Sequence, residues 1–247
     1  MRRRIVAGNW KLHGDRAFAH ALLDEIAASP VPAGVDLVVL PPLPYVSELA
    51  EDYPSIAFGA QDVSANAQGA YTGEVCASML VDVGARYGLV GHSERRQYHH
   101  ENDGLVARKF QAARNAGLIP ILCVGESLHQ RESGQTEYII ERQLQPVFEL
   151  CGDLAFEGAV IAYEPVWAIG TGKTATSQQA QDMHVVIRKH LAGKYGAATA
   201  NEISILYGGS VNAANAKELF GCPDVDGGLV GGASLKSREF TEIIKSA

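Results

Sequence analysis

The sequence lacks any long apolar stretch: none of its 247 residues belong to a run near the ~18 apolar residues that a membrane helix needs. Its start, Met1-Arg2-Arg3-Arg4, is basic, and Ile5 to Gly8 is apolar. Asn9 and Lys11 then interrupt the apolar run too early for a signal peptide. The sequence therefore predicts a cytoplasmic protein that makes no contact with a membrane.

Cysteine is also scarce and is not arranged for metal binding. Cys76, Cys123, Cys151 and Cys222 are far apart, and no Cys-x-x-Cys pair occurs. This usage predicts free, buried or half-buried thiols in a reducing compartment. Because the paired ligand spacing of zinc sites is absent, we predict no bound metal.

Positive charge is in deficit. The 21 lysines and arginines are outnumbered by 28 aspartates and glutamates, which gives a net charge of −7 and a pI near 5.6. A basic face is not indicated, so we expect no nucleic-acid partner. Linkers rich in proline, glycine or serine are missing as well, so the sequence predicts a single domain, residues 1–247.

The chain alternates between short apolar runs and longer segments with helical apolar spacing. The runs are typical of strands buried on both faces of a parallel sheet. They are Ile5–Ala7, Val35–Leu40, Ile56–Ala60, Tyr87–Val90, Leu118–Val124, Ala159–Tyr163, Ile203–Tyr207 and Val225–Val230. Eight strand–helix units of about 31 residues predict an α/β fold, a closed (β/α)8 barrel with an outer ring of helices. An open doubly wound sheet is the alternative, weakened because no Gly-x-Gly-x-x-Gly follows the first run.

Helix boundaries are signalled at several points between these runs. Asp15 and Thr176-Ser177 are predicted N-terminal caps, and Gly117 is a predicted helix end. Pro146 lies within a helical pattern and is predicted to kink or split that helix.

Polar residues follow the predicted strands where a barrel carries its active site. Lys11 follows strand 1, His92 follows strand 4 and Glu164 ends strand 6. Pro165 restricts Glu164 to extended backbone, and the stretch after it is predicted to be a mobile cover. An acid on a rigid strand end under such a cover suits proton abstraction in a closed site.

Glycine pairs follow strands 7 and 8, at Gly208-Gly209 and Gly231-Gly232. Glycine lets backbone N–H groups approach an anion, and barrels commonly bind phosphate at these two positions. Residues and placement alone thus predict an enzyme that moves protons next to the carbonyl of a small phosphorylated substrate. The stretch Gln61–Gly73 is too long for a plain connector and is predicted to be a binding or subunit-contact loop.

Five motifs resemble the triose-phosphate isomerase family, in the same order and over nearly the whole chain. They are Asn9-Trp10-Lys11, Gly91-His92-Ser93-Glu94-Arg95-Arg96, the stretch from Ala162 to Gly172, Tyr207-Gly208-Gly209-Ser210-Val211 and the stretch from Gly227 to Leu235. The resemblance implies interconversion of dihydroxyacetone phosphate and D-glyceraldehyde 3-phosphate through an enediolate, in glycolysis and gluconeogenesis. It also implies a homodimer that needs no cofactor.

The resemblance assigns roles residue by residue. It implies that Glu164 is the base, that His92 is a neutral imidazole polarising the carbonyl, and that Lys11 and Asn9 stabilise developing negative charge. The backbone donors for phosphate correspond to Gly170, Ser210, Gly231 and Gly232, and the apolar pair closing over the base corresponds to Ile169 and Leu229.

Further positions match the family outside the reacting groups. Glu94 matches a position beside the histidine to which we assign no role beyond support. Thr72, in the Gln61–Gly73 loop, matches a residue near the partner subunit's site, and Arg188 and Asp224 match a structural ion pair. Two departures stand out: Gly228 replaces a bulkier residue before the clamp leucine, and His99-His100 is an unfamiliar pair predicted to be exposed.

Two other readings remain open. One is a different phosphate-binding barrel, such as an aldolase, an epimerase or an indole-forming lyase. An aldolase needs a Schiff-base lysine on a strand, and none of the eight runs contains one. The other is a non-catalytic scaffold, which would be expected to have lost Lys11, His92 or Glu164.

Overall fold

A computed structural model describes residues 2–169 and 174–247 of the chain. Its centre is a closed barrel of eight parallel strands, in which each strand pairs with the next and β8 pairs back with β1. The predicted (β/α)8 barrel is therefore confirmed, and each predicted apolar run overlaps one strand. The strands are β1 Arg4–Asn9, β2 Val35–Leu40, β3 Ala57–Ala60, β4 Tyr87–Val90, β5 Ile119–Val124, β6 Val160–Tyr163, β7 Ser204–Tyr207 and β8 Gly227–Val230.

The strands are mostly apolar because both of their faces are covered. Alternate residues fill the inside of the barrel, where the buried cluster comprises Ile5, Ala7, Val38, Leu40, Tyr87, Leu89, Ile121, Cys123, Val160, Ala162, Leu206 and Leu229. Their neighbours along each strand belong to a larger cluster shared with the helices. Since successive strand side chains point to opposite faces, both sets are buried together and position the strand ends rigidly.

Helices cover the outside of the barrel. They are α1 Arg16–Ala27, α2 Val46–Asp52, α3 Ala77–Asp82, α4 Ser93–Tyr98, α5 Asp103–Asn115, α6 Leu128–Glu132, α7 Thr136–Cys151, α8 Ser177–Tyr195, α9 Ala197–Ala200, α10 Ala216–Phe220 and α11 Ser237–Lys245. In the described part of the chain, none of them combines the length and apolarity that crossing a bilayer requires.

The predicted caps are confirmed. Asp15 accepts a hydrogen bond from the Phe18 N–H at 2.8 Å. Thr176 accepts one from Gln179 at 3.1 Å, and the Gln179 side chain accepts one from the Thr176 N–H at 3.0 Å. Gly117, two residues beyond the end of α5, takes a left-handed φ of 88°, which favours glycine after a helix.

The expectation that Pro146 splits its helix is wrong, because α7 runs without a break from Thr136 to Cys151. Proline removes one backbone donor, but the helix is anchored on both sides of it. Ile140 and Leu144 before Pro146, and Val147 directly after it, are fully buried. Packing of this apolar face therefore outweighs the single lost hydrogen bond.

Two expectations about individual residues are also resolved. Arg188 and Asp224 form an ion pair at 2.6 Å, so the predicted structural pair is confirmed. Gly228 lies against Phe220 of α10, and a Cβ built on Gly228 would stand 3.0 Å from the Phe220 Cζ atom. The phenylalanine ring fills the space that a larger residue would need, which accounts for the glycine there. His99 and His100 are exposed, as predicted.

The stretch Gln61–Gly73 forms a loop without regular secondary structure. Its outer part, including Thr72, is exposed, and Tyr71 is 50% exposed. The base of the loop is fixed by a hydrogen bond from the Ser64 N–H to the Val75 carbonyl at 2.9 Å.

All four cysteines are free, as predicted. Cys76 and Cys123 are buried, and Cys151 and Cys222 are half-buried. Burial raises the pKa of the Cys123 thiol well above its ordinary value, and the nearby charge of Glu164 adds to this effect. We therefore expect Cys123 to be an unreactive packing residue beneath the site.

Candidate active site

A cavity of about 350 Å³ opens at the carboxyl ends of the strands. It brings together the sequence-predicted residues Asn9, Lys11, His92, Glu164, Ile169, Ser210, Leu229, Gly231 and Gly232. Gly170, also predicted, lies outside the described residues. Because these residues lie at or just after the carboxyl ends of β1, β4, β6, β7 and β8, closure of the barrel makes them neighbours.

Glu164 directly follows β6 and is held by its backbone. Its N–H donates to the Val124 carbonyl at 2.7 Å, which continues the pairing of β6 with β5. The side chain is only 2% exposed. Its carboxylate accepts a hydrogen bond from the Ser93 N–H at 2.9 Å and one from the Ser93 hydroxyl at 3.3 Å. The first turn of α4 therefore holds this buried negative charge.

His92 stands at the N-terminal cap of α4 and faces the same carboxylate. Its Nε2 lies 3.0 Å from Oε1 of Glu164. Its Nδ1 accepts a hydrogen bond from the Glu94 N–H at 3.2 Å. Because that donor requires the lone pair of Nδ1, the ring proton is on Nε2, which donates it to Glu164.

The two groups shift each other's pKa. Burial raises the pKa of Glu164, but the charge and hydrogen bond of His92 and the Ser93 N–H outweigh it, so that pKa lies below its ordinary value. Burial lowers the pKa of His92, but the carboxylates of Glu164 and Glu94 raise it above its ordinary value. Both shifts depend on contact between the two side chains, so separating them makes Glu164 a stronger base.

Lys11 has an unusual backbone. Its φ is 54°, in the left-handed region that L-residues rarely adopt. The Lys11 N–H donates to Oδ1 of Asn9 at 3.0 Å, and Gln61 donates to the Lys11 carbonyl at 2.8 Å. The ammonium Nζ lies 2.5 Å from Oε1 of Glu94. These contacts direct the charge of Lys11 into the cavity mouth.

Glu94 connects the lysine and the histidine. Besides its contact with Lys11, its Oε2 lies 3.7 Å from Nδ1 of His92. Its side chain is 40% exposed, so solvent screens these interactions. The geometry thus supports a positioning role for Glu94 rather than contact with a substrate.

Tight turns shape the side of the cavity formed after β7 and β8. The Ser234 hydroxyl and N–H both donate to the Gly231 carbonyl, at 2.7 and 2.8 Å. The Ser210 carbonyl accepts from the Asn215 side chain at 3.1 Å. A Cβ on Gly209 would approach the Tyr207 hydroxyl to 2.3 Å, so only glycine fits there without a shift. Fixed turns of this kind direct backbone N–H groups towards an anion.

Sequence reasoning missed three contacts that organise the site. The motif around His92 gives Ser93 no separate role, although Ser93 holds Glu164 by two hydrogen bonds. Gln61 was read only as the start of a loop, although it anchors Lys11. Glu126, fully buried, accepts hydrogen bonds from the Tyr163 hydroxyl at 3.0 Å and from the Trp167 indole at 3.0 Å. No spacing signalled these residues, because each acts on a group distant in sequence.

The sequence is similar over nearly its whole length to proteins of one known family. The family model described as triosephosphate isomerase matches residues 4–247. The chain belongs to the triosephosphate isomerase family. It is 64% identical to the triosephosphate isomerase of Stenotrophomonas maltophilia (strain K279a), over 100% of this chain and 99% of that protein. It is 65% identical to that of Xanthomonas campestris pv. campestris (strain 8004), with the same coverage. As a member of the triosephosphate isomerase family, the chain is an isomerase.

Proposed function

We propose that this isomerase interconverts dihydroxyacetone phosphate and D-glyceraldehyde 3-phosphate, in glycolysis and gluconeogenesis. The observation that carries the proposal is the 3.0 Å contact between Glu164 and His92 in a cavity that also contains Lys11. A base, a neutral hydrogen-bond donor and a cation are what enolisation next to a carbonyl requires. The relatives are triosephosphate isomerases, which supports the same reaction.

In the proposed mechanism, Glu164 removes a proton from the carbon beside the carbonyl. The electron pair of that C–H bond forms the carbon–carbon double bond of an enediolate, and the carbonyl oxygen takes up the negative charge. His92 donates its Nε2 proton towards that oxygen, and Lys11 and Asn9 stabilise the charge. His92 then takes the proton from the hydroxyl on the first carbon, so that a proton has moved from one enediolate oxygen to the other and the ring again carries its Nε2 proton. Glu164 returns its proton to the former carbonyl carbon, the carbon–carbon double bond supplies the electron pair of the new C–H bond, and the first carbon becomes the carbonyl.

Glu164 has to exchange partners before it can act. Its carboxylate is occupied by Ser93 and His92 in the described structure, and each contact lowers its pKa. We infer that substrate replaces these contacts, which returns basicity to the carboxylate in a site shielded from water. Leu229 and Ile169, both lining the cavity, would form the apolar wall around it.

The phosphate of the substrate is proposed to bind on the opposite side of the cavity. Backbone N–H groups of Ser210, Gly231 and Gly232, with that of Gly170 outside the described residues, are the proposed donors. Their place after β7 and β8 supports this proposal. No cofactor or metal is expected to take part.

The decisive experiment is the turnover of glyceraldehyde 3-phosphate by the purified protein, with a chelator present, beside the Glu164→Ala variant. Rapid isomerisation by the native chain and its loss in the variant are expected. Equal, low activity in both proteins would overturn the proposal. Borohydride trapping tests the aldolase alternative, for which none of the eight described strands offers a lysine.

We propose further that the whole chain, residues 1–247, is one cytoplasmic domain that acts as a homodimer. The exposed Thr72 and the half-exposed Tyr71 would enter a groove of the partner subunit. In support, α3 beside this loop exposes Met79 and Val81, apolar side chains that a partner would cover. Sedimentation tests this: shortening the tip of the Gln61–Gly73 loop should give monomers, and an unchanged dimer mass would contradict the proposal. The four free cysteines support the cytoplasmic location.

A further inference from the structure

A cluster of metal-ligating side chains lies outside the candidate active site, between α1 and α2. Nε2 of His20 lies 3.2 Å from Oε1 of Glu48 and 3.7 Å from Oδ2 of Asp52. These three atoms all lie within 4.8 Å of one another. Glu48 and Asp52 are four residues apart on α2 and so share one face of that helix.

The orientation of the His20 ring is fixed by a hydrogen bond at its other nitrogen, Nδ1. The Tyr53 hydroxyl lies 2.7 Å from Oδ1 of Asp24 and 3.2 Å from the His20 carbonyl, and both of these atoms only accept. The single hydroxyl proton is therefore directed to an acceptor. Nδ1 of His20, 3.1 Å from the same hydroxyl, must donate its own proton to it.

This arrangement turns Nε2, the other ring nitrogen, towards Glu48 and Asp52. One ring nitrogen and two carboxylates thus converge on the same space, where a positive charge would be stabilised. A metal ion supplies that charge. A donor bond from the second ring nitrogen is also what fixes the orientation of a histidine that ligates metal.

The distances suit a small tetrahedral cation. Zinc binds nitrogen and carboxylate oxygen at about 2.0–2.2 Å, so two ligand atoms of a tetrahedral site stand about 3.4 Å apart. The separations from Nε2, 3.2 and 3.7 Å, bracket that value. An imidazole in the set favours zinc over magnesium or calcium, which prefer oxygen ligands only.

Charge and orientation around the cluster agree with a cation site. The cluster and its hydrogen-bond partners contain three carboxylates, those of Asp24, Glu48 and Asp52, of which Glu48 pairs with the Arg16 guanidinium. Arg16 Nε lies 2.9 Å from Oε2 of Glu48, which leaves Oε1 turned towards His20. A divalent ion would balance the remaining negative charge.

We propose that His20, Glu48 and Asp52 bind a zinc ion, with water as the fourth ligand, and that this ion links α1 to α2. The site is separate from the proposed isomerase chemistry. No sequence spacing signals it, because the histidine is 28 residues from the first carboxylate and lies on another helix. The prediction of no bound metal rested on cysteine spacing, which does not bear on a histidine–carboxylate site.

The test is calorimetric titration of the chelator-treated full chain with zinc chloride in a buffer that does not bind metal. Native protein should bind one zinc with a dissociation constant at least about tenfold lower than that of His20→Gln or Asp52→Asn. Zinc should raise the thermal midpoint of the native chain but not those of these two variants. All three side chains are partly exposed, so both variants should fold and keep native isomerase turnover without zinc.

The matched control is the double variant His99→Gln with His100→Gln, which removes an exposed histidine pair elsewhere. It should bind zinc as the native chain does. Anomalous diffraction at the zinc edge should place the ion between His20 and Asp52. A peak at His92 or at His99, equal affinity in all variants, or no zinc binding by the native chain would each overturn the proposal.

Discussion

Two buried charged groups in this barrel have opposite arrangements. Arg188 donates all five of its N–H groups: to Asp224 side chain and carbonyl, to the Ala200 and Ile203 carbonyls, and to Asp226, at 2.6 to 3.2 Å. Glu164 is just as buried, but its partners belong to His92 and Ser93, and it faces a cavity.

The difference teaches how the fold separates stability from chemistry. The Arg188 network is complete, so any motion of that side chain loses hydrogen bonds without gaining others. The contacts of Glu164 can be exchanged for contacts with a ligand, since open space lies beside them. Burial and ion pairing therefore do not mark a functional group on their own. A cavity beside a group with exchangeable partners does.

Replacing Glu164 by Gln should have the largest effect and should act on activity alone. The amide fits the same space but cannot accept the substrate proton, so kcat should fall by roughly 10²–10⁴-fold. The free energy of unfolding should change by less than about 1 kcal/mol, because no cavity is created. Steady-state kinetics and urea unfolding of the same preparation measure both. Retention of more than a tenth of native kcat would show that Glu164 is not the base.

Replacing Arg188 by Ala should give the inverse result. Asp224 and Asp226 would lose their buried partner, which should lower the free energy of unfolding by about 3–5 kcal/mol. The kcat of the folded fraction should stay near the native value. Arg188→Lys is the control, because it keeps the charge but not the fork of five donors. Its free energy of unfolding should lie between those of the native protein and the alanine variant. A normal urea midpoint for the alanine variant would contradict the assigned structural role.

The next test uses pH, because His184 lies in the same network as Arg188. Its Nδ1 lies 3.0 Å from the Asp224 carbonyl, and burial lowers its pKa from 6.5 to about 4. Between pH 6.5 and about 4, His184 is protonated in the unfolded chain but stays neutral in the folded chain. Stability should therefore fall by roughly 3 kcal/mol as pH drops through this window.

The control for that titration is His184→Asn, whose amide keeps a donor near the position of Nδ1 but does not titrate. The variant should be less stable than the native protein at neutral pH. Between pH 6.5 and about 4, its free energy of unfolding should fall less with decreasing pH than that of the native protein, because the His184 contribution is missing. Parallel slopes for variant and native protein in urea unfolding would show that His184 is not held neutral by the fold.

The smallest expected effect is that of Gly228→Ala. The added methyl group would press on Phe220, so the free energy of unfolding should fall by about 1 kcal/mol. Because Leu229 follows directly and lines the cavity, a modest rise in KM is expected as well. Paired measurements of KM and thermal midpoint test this. A variant more stable than the native protein would contradict this prediction, because it would show that the Phe220 ring moves aside without a loss of packing.

Most of the barrel was predictable from the sequence because its strands are apolar on both faces and its helices carry caps. The short runs around Val38, Leu89 and Ile161 are visible in one dimension. The carboxyl-end rule then placed Lys11, His92 and Glu164 together. The continuity of α7 through Pro146 was not predictable, since it depends on tertiary packing of the helix face against its neighbours.

Contacts between distant residues were equally hidden. The residues joined by the hydrogen bond from Ser93 to Glu164 are 71 positions apart, and those joined by the hydrogen bond from Gln61 to Lys11 are 50 positions apart. Neither follows a periodic pattern, so neither leaves a local signal. The roles assigned to the site residues and the homodimer stay predictions, to be decided by the kinetic and sedimentation experiments above.

At Lys11, the backbone conformation favours glycine, whereas the proposed chemistry requires a positively charged side chain. A residue with φ of 54° is most comfortable as glycine, which would relieve roughly 1–2 kcal/mol of steric strain. Glycine would also remove the ammonium group. Selection for stability alone would therefore favour glycine at position 11 and remove a group that the proposed chemistry needs. A screen for stabilising substitutions that does not measure activity should find this position among the first. We expect substitutions at residue 11 to raise thermal stability while they lower turnover, and we expect this opposition to be greater there than at any strand position.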